Sequence, residues 1–239
     1  MAFRMGLIRK RPDWTQAAFE RHWRDVHGPL ARALPGLCSY WQNVVTERAQ
    51  RGIDYARGAW DFDGFSQLRF EGGGTALSDD APARALAADE RYFLGGLHIV
   101  TVEPTEVVAP PSAPARAGLL KRMSLLRRRD DMDEAAFRRE WRAHAEHVCE
   151  MPGVAGYRQN VVLARERVKG QACDYAGLPI DGIVELWFED AARLEAAFRS
   201  DRGRRTMAHA RTFLAEITVF AVRERDVLAG AAGPRAASA

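Results

Sequence analysis

The chain repeats itself, and that limits what it can fold into more than any other feature. Ala17-Ala18-Phe19-Glu20-Arg21-His22-Trp23-Arg24 returns as Ala135-Ala136-Phe137-Arg138-Arg139-Glu140-Trp141-Arg142 at an offset of 118. Upstream, Met5 and Leu7 match Met123 and Leu125. Downstream, Pro35-Gly36 and Tyr40-x-Gln42-Asn43-Val44-Val45 return as Pro152-Gly153 and Tyr157-x-Gln159-Asn160-Val161-Val162 at an offset of 117, so one residue separates the copies in length between those motifs. Asp54-Tyr55-Ala56 matches Asp174-Tyr175-Ala176, and Asp63-Gly64 with Leu68-x-Phe70 matches Asp181-Gly182 with Leu186-x-Phe188. Conserved order and spacing over so many motifs mean duplication of one supersecondary unit. The units are 1–108 and 119–228. Between them, 109–118 is rich in proline and alanine and reads as an extended linker, and 229–239 holds small residues with nothing to bury and reads as a disordered tail.

Each copy carries the same series of patterns. In the first, Phe3 to Arg9 reads as a strand. Asp13 or Thr15 can cap a helix whose face holds Phe19, Trp23, Val26 and Leu30. Cys38 to Glu47 and Ala59 to Phe70 read as strands, glycines 72 to 74 end the sheet run, and a helix from about Ser78 to Phe93, interrupted at Pro82, leads to a last strand, Leu97 to Val108. In the second copy, 191–213 reads as one helix. The order is βαββαβ, a ferredoxin-like unit. Helices on one face of an antiparallel sheet leave the other face open, and the second copy supplies a sheet to close it. The expected fold is α+β: two tandem ferredoxin-like units whose sheets form a single-chain barrel.

With 47% hydrophobic and 28% charged residues the composition is globular. A formal charge of +3, from 35 basic and 32 acidic residues interspersed along the chain, does not favour nucleic acid. Cys38, Cys149 and Cys173 have neither C-x-x-C spacing nor histidines arranged to complete a zinc site, and Met1 to Lys10 is too short and too charged for a signal or a span. A soluble, cytoplasmic protein in a reduced compartment is expected, with no membrane partner. The glycines at 72 to 74 lack the lysine and Ser/Thr of a phosphate loop, and no G-x-G-x-x-G opens a helix, so no cofactor is expected.

The run Phe19-x-x-x-Trp23-x-x-x-His27-Gly28-Pro29-Leu30, with Leu34-Pro35-Gly36, Tyr40 and Gln42-Asn43, resembles the EthD family, as do Asp181-Gly182-Ile183-Val184-Glu185-Leu186-Trp187-Phe188 and Asp89-Glu90-Arg91-Tyr92-Phe93-Leu94. The resemblance spans about nine-tenths of the chain. It implies a dimeric α+β barrel, usually built from two chains and here contained in one. It does not fix a reaction, because the wider barrel superfamily includes cofactor-free monooxygenases, haem-degrading enzymes, isomerases and stress-response proteins. The second copy departs from the family's pattern, with His144-Ala145-Glu146-His147 where the first has His27-Gly28-Pro29-Leu30.

His27 and His144 are the candidate proton carriers, because helical spacing from Trp23 and Trp141 points both towards the sheet. His144 and His147 lie one turn apart, but a metal needs a third ligand that the sequence does not supply. Tyr40, Gln42, Tyr157 and Gln159, with Trp23, are candidates to line an apolar pocket with a few directional hydrogen bonds; the glutamines equally suit satisfying backbone groups. Asp63 and Asp181 precede glycine and read first as turn residues, or else as carboxylates orienting His27 or His144. The enzymatic reading is cofactor-independent lyase, dehydratase or oxygenase-like chemistry on a small hydrophobic, aromatic or carbonyl-bearing molecule. The alternatives are a non-catalytic binding module of a degradative or biosynthetic pathway, and an assembly module that self-associates through sheet edges beyond the internal pseudo-dimer.

Overall fold

The computed structural model describes residues 2–73 and 79–229. The first unit runs β1 (Phe3–Lys10), α1 (Gln16–His22), a π-helical turn (Trp23–His27), α2 (Gly28–Arg32), β2 (Leu37–Glu47), β3 (Gly64–Phe70), α3 (Ala81–Phe93) and β4 (Leu94–Val108). The second runs β5 (Leu120–Arg128), α5 (Glu134–Cys149), β6 (Gly156–Val168), a two-residue β7 (Gln171–Ala172), β8 (Gly182–Phe188), α6 (Ala191–Arg199), α7 (Asp201–Phe213) and β9 (Leu214–Asp226). Both units are βαββαβ.

All strand pairs are antiparallel. The strands follow the order β4-β1-β3-β2-β9-β5-β8-β6, and β6 returns to β4, closing an eight-stranded barrel. The two seams are equivalent: β2 meets β9 with Val44 opposite Arg223, and β6 meets β4 with Val162 opposite Val102. Each unit's last strand pairs with the other unit's second strand, so neither sheet keeps a long free edge. Strand alternation then divides the side chains. Met5, Leu7, Phe65 and Val100 face the interior with Met123, Leu125, Ile183 and Phe220 of the other unit, while Ile8, Val44 and Leu126 face outward under the helices.

The structure refines several element limits. The third strand starts at Gly64 rather than Ala59, because the stretch before it leaves the sheet and folds Phe62 onto the end of the barrel core. Pro82 does not interrupt α3: it lies in the first turn, where no intrahelical N–H is required, and the Asp80 side chain caps the helix. The stretch 191–213 is two helices, parted at Ser200, whose hydroxyl accepts from the Gly203 N–H at 3.0 Å. Within the linker, α4 (Ala113–Arg116) forms one helical turn with a proline at its start. Gly74, Ser78 and the tail from 230 lie outside the described residues.

Neither Gly64 nor Gly182 sits in a turn or has positive φ. Each begins a strand under a tryptophan, and a Cβ on Gly64 would lie 2.5 Å from the Trp23 ring, with Gly182 and Trp141 closer still. The Asp-Gly pairs are therefore packing sites. Asp63 accepts from the Lys10 N–H (2.9 Å) and Arg48 (2.9 Å); Asp181 accepts from the Arg128 N–H (2.7 Å) and Tyr175 Oη (2.9 Å) and pairs with the Arg128 guanidinium. These carboxylates tie strand ends together.

Candidate functional site

Thr15 caps α1 by accepting from the Ala18 N–H, and Phe19 and Trp23 bury against the sheet. Immediately beyond, the helix widens into the π-helical turn, in which the Gly28 N–H reaches back to the Trp23 carbonyl. The extra residue of this turn is the one by which the two copies differ in length, since the offset falls from 118 at Trp23 to 117 at Tyr40. Pro29, which has no N–H to give, follows the widened turn. The second unit has no such insertion, and α5 runs unbroken through His144. One consequence is that Val26, expected on the buried face, is 43% exposed, while His27 turns inward and is 7% exposed.

His27 lines a cavity of about 40 Å³ between helices and sheet, together with Tyr40, Ser66, Leu86, Leu97 and Ile99. Its Nδ1 lies 2.8 Å from Asp89 Oδ2 on α3, and Asp89 Oδ1 lies 2.7 Å from His22 Nε2. A carboxylate only accepts, so the His27 Nδ1 carries a proton, and the ring lines the cavity. Burial pushes the Asp89 carboxyl up, but the hydrogen bonds from His27 and His22 outweigh it and hold the group below its ordinary value. Tyr40 supplies the complementary donor. Its oxygen accepts from Trp23 Nε1 (3.1 Å) and Gln42 Nε2 (3.2 Å), which leaves the phenol proton able to donate. Burial raises its pKa, so it stays protonated. Gln42 also donates to the Trp23 carbonyl at 2.7 Å, and Gln159 does the same to the Trp141 carbonyl at 2.7 Å while donating to Tyr157 Oη at 2.7 Å. Both glutamines brace the helix and the tyrosine from behind; neither lines the cavity.

Glu90, Leu94, Leu97 and Lys169 border both this cavity and an outer groove of about 650 Å³ that also holds Arg91, His98 and Val168. Lys169 belongs to the other unit and pairs with Glu90 at 2.6 Å. The rim shared by the inner cavity and the outer groove is thus built from both halves of the chain.

The second unit has a matching cavity of about 50 Å³, lined by His144, Trp141, Tyr157, Met151, Leu186 and Phe198 among others. Where the first unit has Asp89, the second has His209, each four residues before a phenylalanine at the helix end. His144 Nδ1 lies 3.0 Å from His209 Nδ1, so one ring donates and the other accepts. Burial, with His209 and His147 nearby, lowers the His144 pKa to about 3. Its ring is neutral at pH 7 and a weak base. Among the described residues no three His, Cys, Asp or Glu side chains are arranged to hold a metal.

The unfolded chain takes up this proton near 6.5 and the folded one only near 3, so stability declines as pH falls through that range. Between pH 7 and 5 the loss should be on the order of 2 kcal/mol. His144→Gln should flatten the profile in pH-dependent denaturant melts, and an unchanged profile would refute the assignment.

The sequence alone did not single out Asp89, although it stands in the Asp89-Glu90-Arg91-Tyr92-Phe93-Leu94 motif, nor His209. Asp63 and Asp181, considered as orienting carboxylates, contact neither histidine. No helix among the described residues is long and apolar enough to cross a membrane.

Among solved structures, an anthrone oxidase-like protein aligns over 100% of this chain and 96% of its own, with TM-score 0.58 and 10% identity. A candidate monooxygenase from Fusobacterium nucleatum aligns over 94% and 93%, with TM-score 0.59 and 5% identity. Another from Lactobacillus acidophilus aligns over 93% of each chain, with TM-score 0.56 and 8% identity. At such identities the likeness concerns the fold, a dimeric-type α+β barrel. No curated protein matches the chain. The EthD domain matches twice, over residues 11–96 and 129–216, each match containing one of the cavity histidines His27 and His144, and the chain accordingly belongs to the EthD family as a tandem of two such domains.

Proposed function

We propose that the first unit binds a small, largely apolar molecule carrying a carbonyl or hydroxyl group and moves a proton on it, with His27 as general base and Asp89 holding the imidazole in the required tautomer. The supporting observation is the His27–Asp89 pair at 2.8 Å beside the cavity. Tyr40 Oη would donate to the guest's oxygen as charge develops there, and the apolar walls exclude water from the exchange. The polar head of the guest occupies the inner cavity while its body extends into the outer groove past the Glu90–Lys169 pair. Such chemistry needs no cofactor and suits a lyase, dehydratase or oxygenase-like step that begins with loss of a proton.

The test uses solvent deuterium exchange, which needs only a C–H next to a carbonyl. Wild-type protein in D2O, given a panel of small aromatic ketones, should speed exchange at that carbon, followed by proton NMR. His27→Gln should slow the exchange by about 100-fold or more while leaving affinity within a few-fold, because it removes the base and keeps much of the side chain's bulk. Exchange that survives in His27→Gln would eliminate the base; a change in affinity with no exchange in either protein would leave a binding module.

A further inference from the structure

Arg4 and Arg122 are matched residues, both outward-facing on the first strand of their unit, at the offset of 118. Their surroundings differ. Arg4 closes its guanidinium on Glu166 of the second unit, with Nη1 to Oε1 at 2.6 Å and Nη2 to Oε2 at 2.9 Å. The residue matched to Glu166 at the offset of 117 is Ala49, which offers no charge. Arg122, 3% exposed, lines the second unit's cavity. Its Nε donates to Ser124 Oγ at 3.1 Å and its Nη1 to the Arg51 carbonyl at 3.2 Å, while the guanidinium lies 4.7 Å over the Phe198 ring. Among the described residues no carboxylate pairs with it.

A guanidinium buried on neutral acceptors and one aromatic face has lost its hydration without gaining a counter-ion, which is costly. Desolvation lowers its pKa to about 9, which still leaves it charged at pH 7. A single negative charge in the cavity would balance it. Tyr157 stands on the same wall with its oxygen accepting from Gln159, and its proton is available to a second guest oxygen. The remaining lining is apolar, and Met151 and Met207 are flexible enough to fit a variable body.

We propose that the second unit's cavity is a binding site for a small monocarboxylate with an apolar body, its carboxylate held by Arg122 and Tyr157 and its body lying against Trp141, Met151 and Leu186. One charge, a planar donor fork and about 50 Å³ of largely apolar space suit a short aliphatic carboxylate better than a polyanion. The two cavities of the barrel then serve different guests.

Butanoate and its uncharged counterpart butanamide are the probes, used with the full chain. Calorimetry should show butanoate binding at least about tenfold tighter than butanamide. Butanoate should also shift the Arg122 Nε–H resonance in the wild-type protein, a readout that needs no variant. Arg122→Met should remove the difference between the probes without lowering the melting temperature of the free protein, because it deletes an uncompensated buried charge. Equal affinity for both probes, retention of butanoate affinity by Arg122→Met, or no binding of any linear carboxylate from ethanoate to hexanoate would each overturn the proposal.

Discussion

Lys121→Met is expected to destabilise the fold by about 3 to 5 kcal/mol, read as a lower denaturant midpoint. Lys121 points into the closed barrel, where its Nζ lies 2.6 Å from Glu185 Oε2, 2.6 Å from Glu224 Oε2 and 2.8 Å from Asn43 Oδ1. Glu185 is fully buried and also accepts from Gln67 at 2.8 Å and Asn160 at 3.0 Å. Burial alone would raise its pKa, but Lys121 and then Arg158 reverse the effect and hold it at about 2. Removing the ammonium leaves an unbalanced negative charge where water does not reach, with Arg158 at 3.3 Å still paired to Glu185, whereas removing both charges together does not. Lys121→Met with Glu185→Gln should therefore be milder than Lys121→Met alone. The sign of the pH dependence follows: the folded carboxyl titrates below its ordinary 4.5, so its contribution is present above that value and lost as pH falls towards 2. An unaltered midpoint in Lys121→Met would show that the network adds nothing to stability.

Trp23→Ala should cost on the order of 3 to 5 kcal/mol by opening a cavity between helix and sheet, and Trp141→Ala should do the same in the second unit. Trp23 is fully buried, packs its ring 5.3 Å from that of Phe19, and rests on the bare α-carbon of Gly64. The pair can be tested as a pair. Gly64→Ala forces a methyl against the indole and should destabilise by about 1 to 3 kcal/mol when Trp23 is present. It should cost much less in the Trp23→Ala background, so a double-mutant cycle would show strong coupling. Additive effects would mean that the glycine serves some other purpose.

The histidine site shows where reading residues in order stops being enough. Helical spacing from Trp23 places His27 on the inward side, and the π-helical turn adjusts that register by one residue, which is why Val26 faces solvent. The signal for the turn was visible as the change in offset between the copies, next to Pro29. Asp89 was not recognisable as the partner of His27: 62 residues separate them, and only the packing of α3 beside α1 brings them to hydrogen-bond distance. Gln42 and Gln159 were equally suited to ligand or backbone, and the outward face of the strand under a helix carbonyl sends both to backbone. Asp63-Gly64 and Asp181-Gly182 carry a turn signal, yet each glycine makes room for a tryptophan ring.

By itself the sequence determined the duplication, the βαββαβ order of each copy, and the alternation that puts Tyr40 with Gln42, and Tyr157 with Gln159, on one face of their strands, because repeats and hydrophobic periods are local properties of a chain. Only the tertiary structure decided that β4 closes on β6 and β2 on β9, that Lys169 reaches Glu90 across the halves, and that Arg122 is buried without the carboxylate that Arg4 has. Those outcomes depend on which distant side chains share a small volume of low dielectric, and there the energy of a charge is set by its neighbours in space.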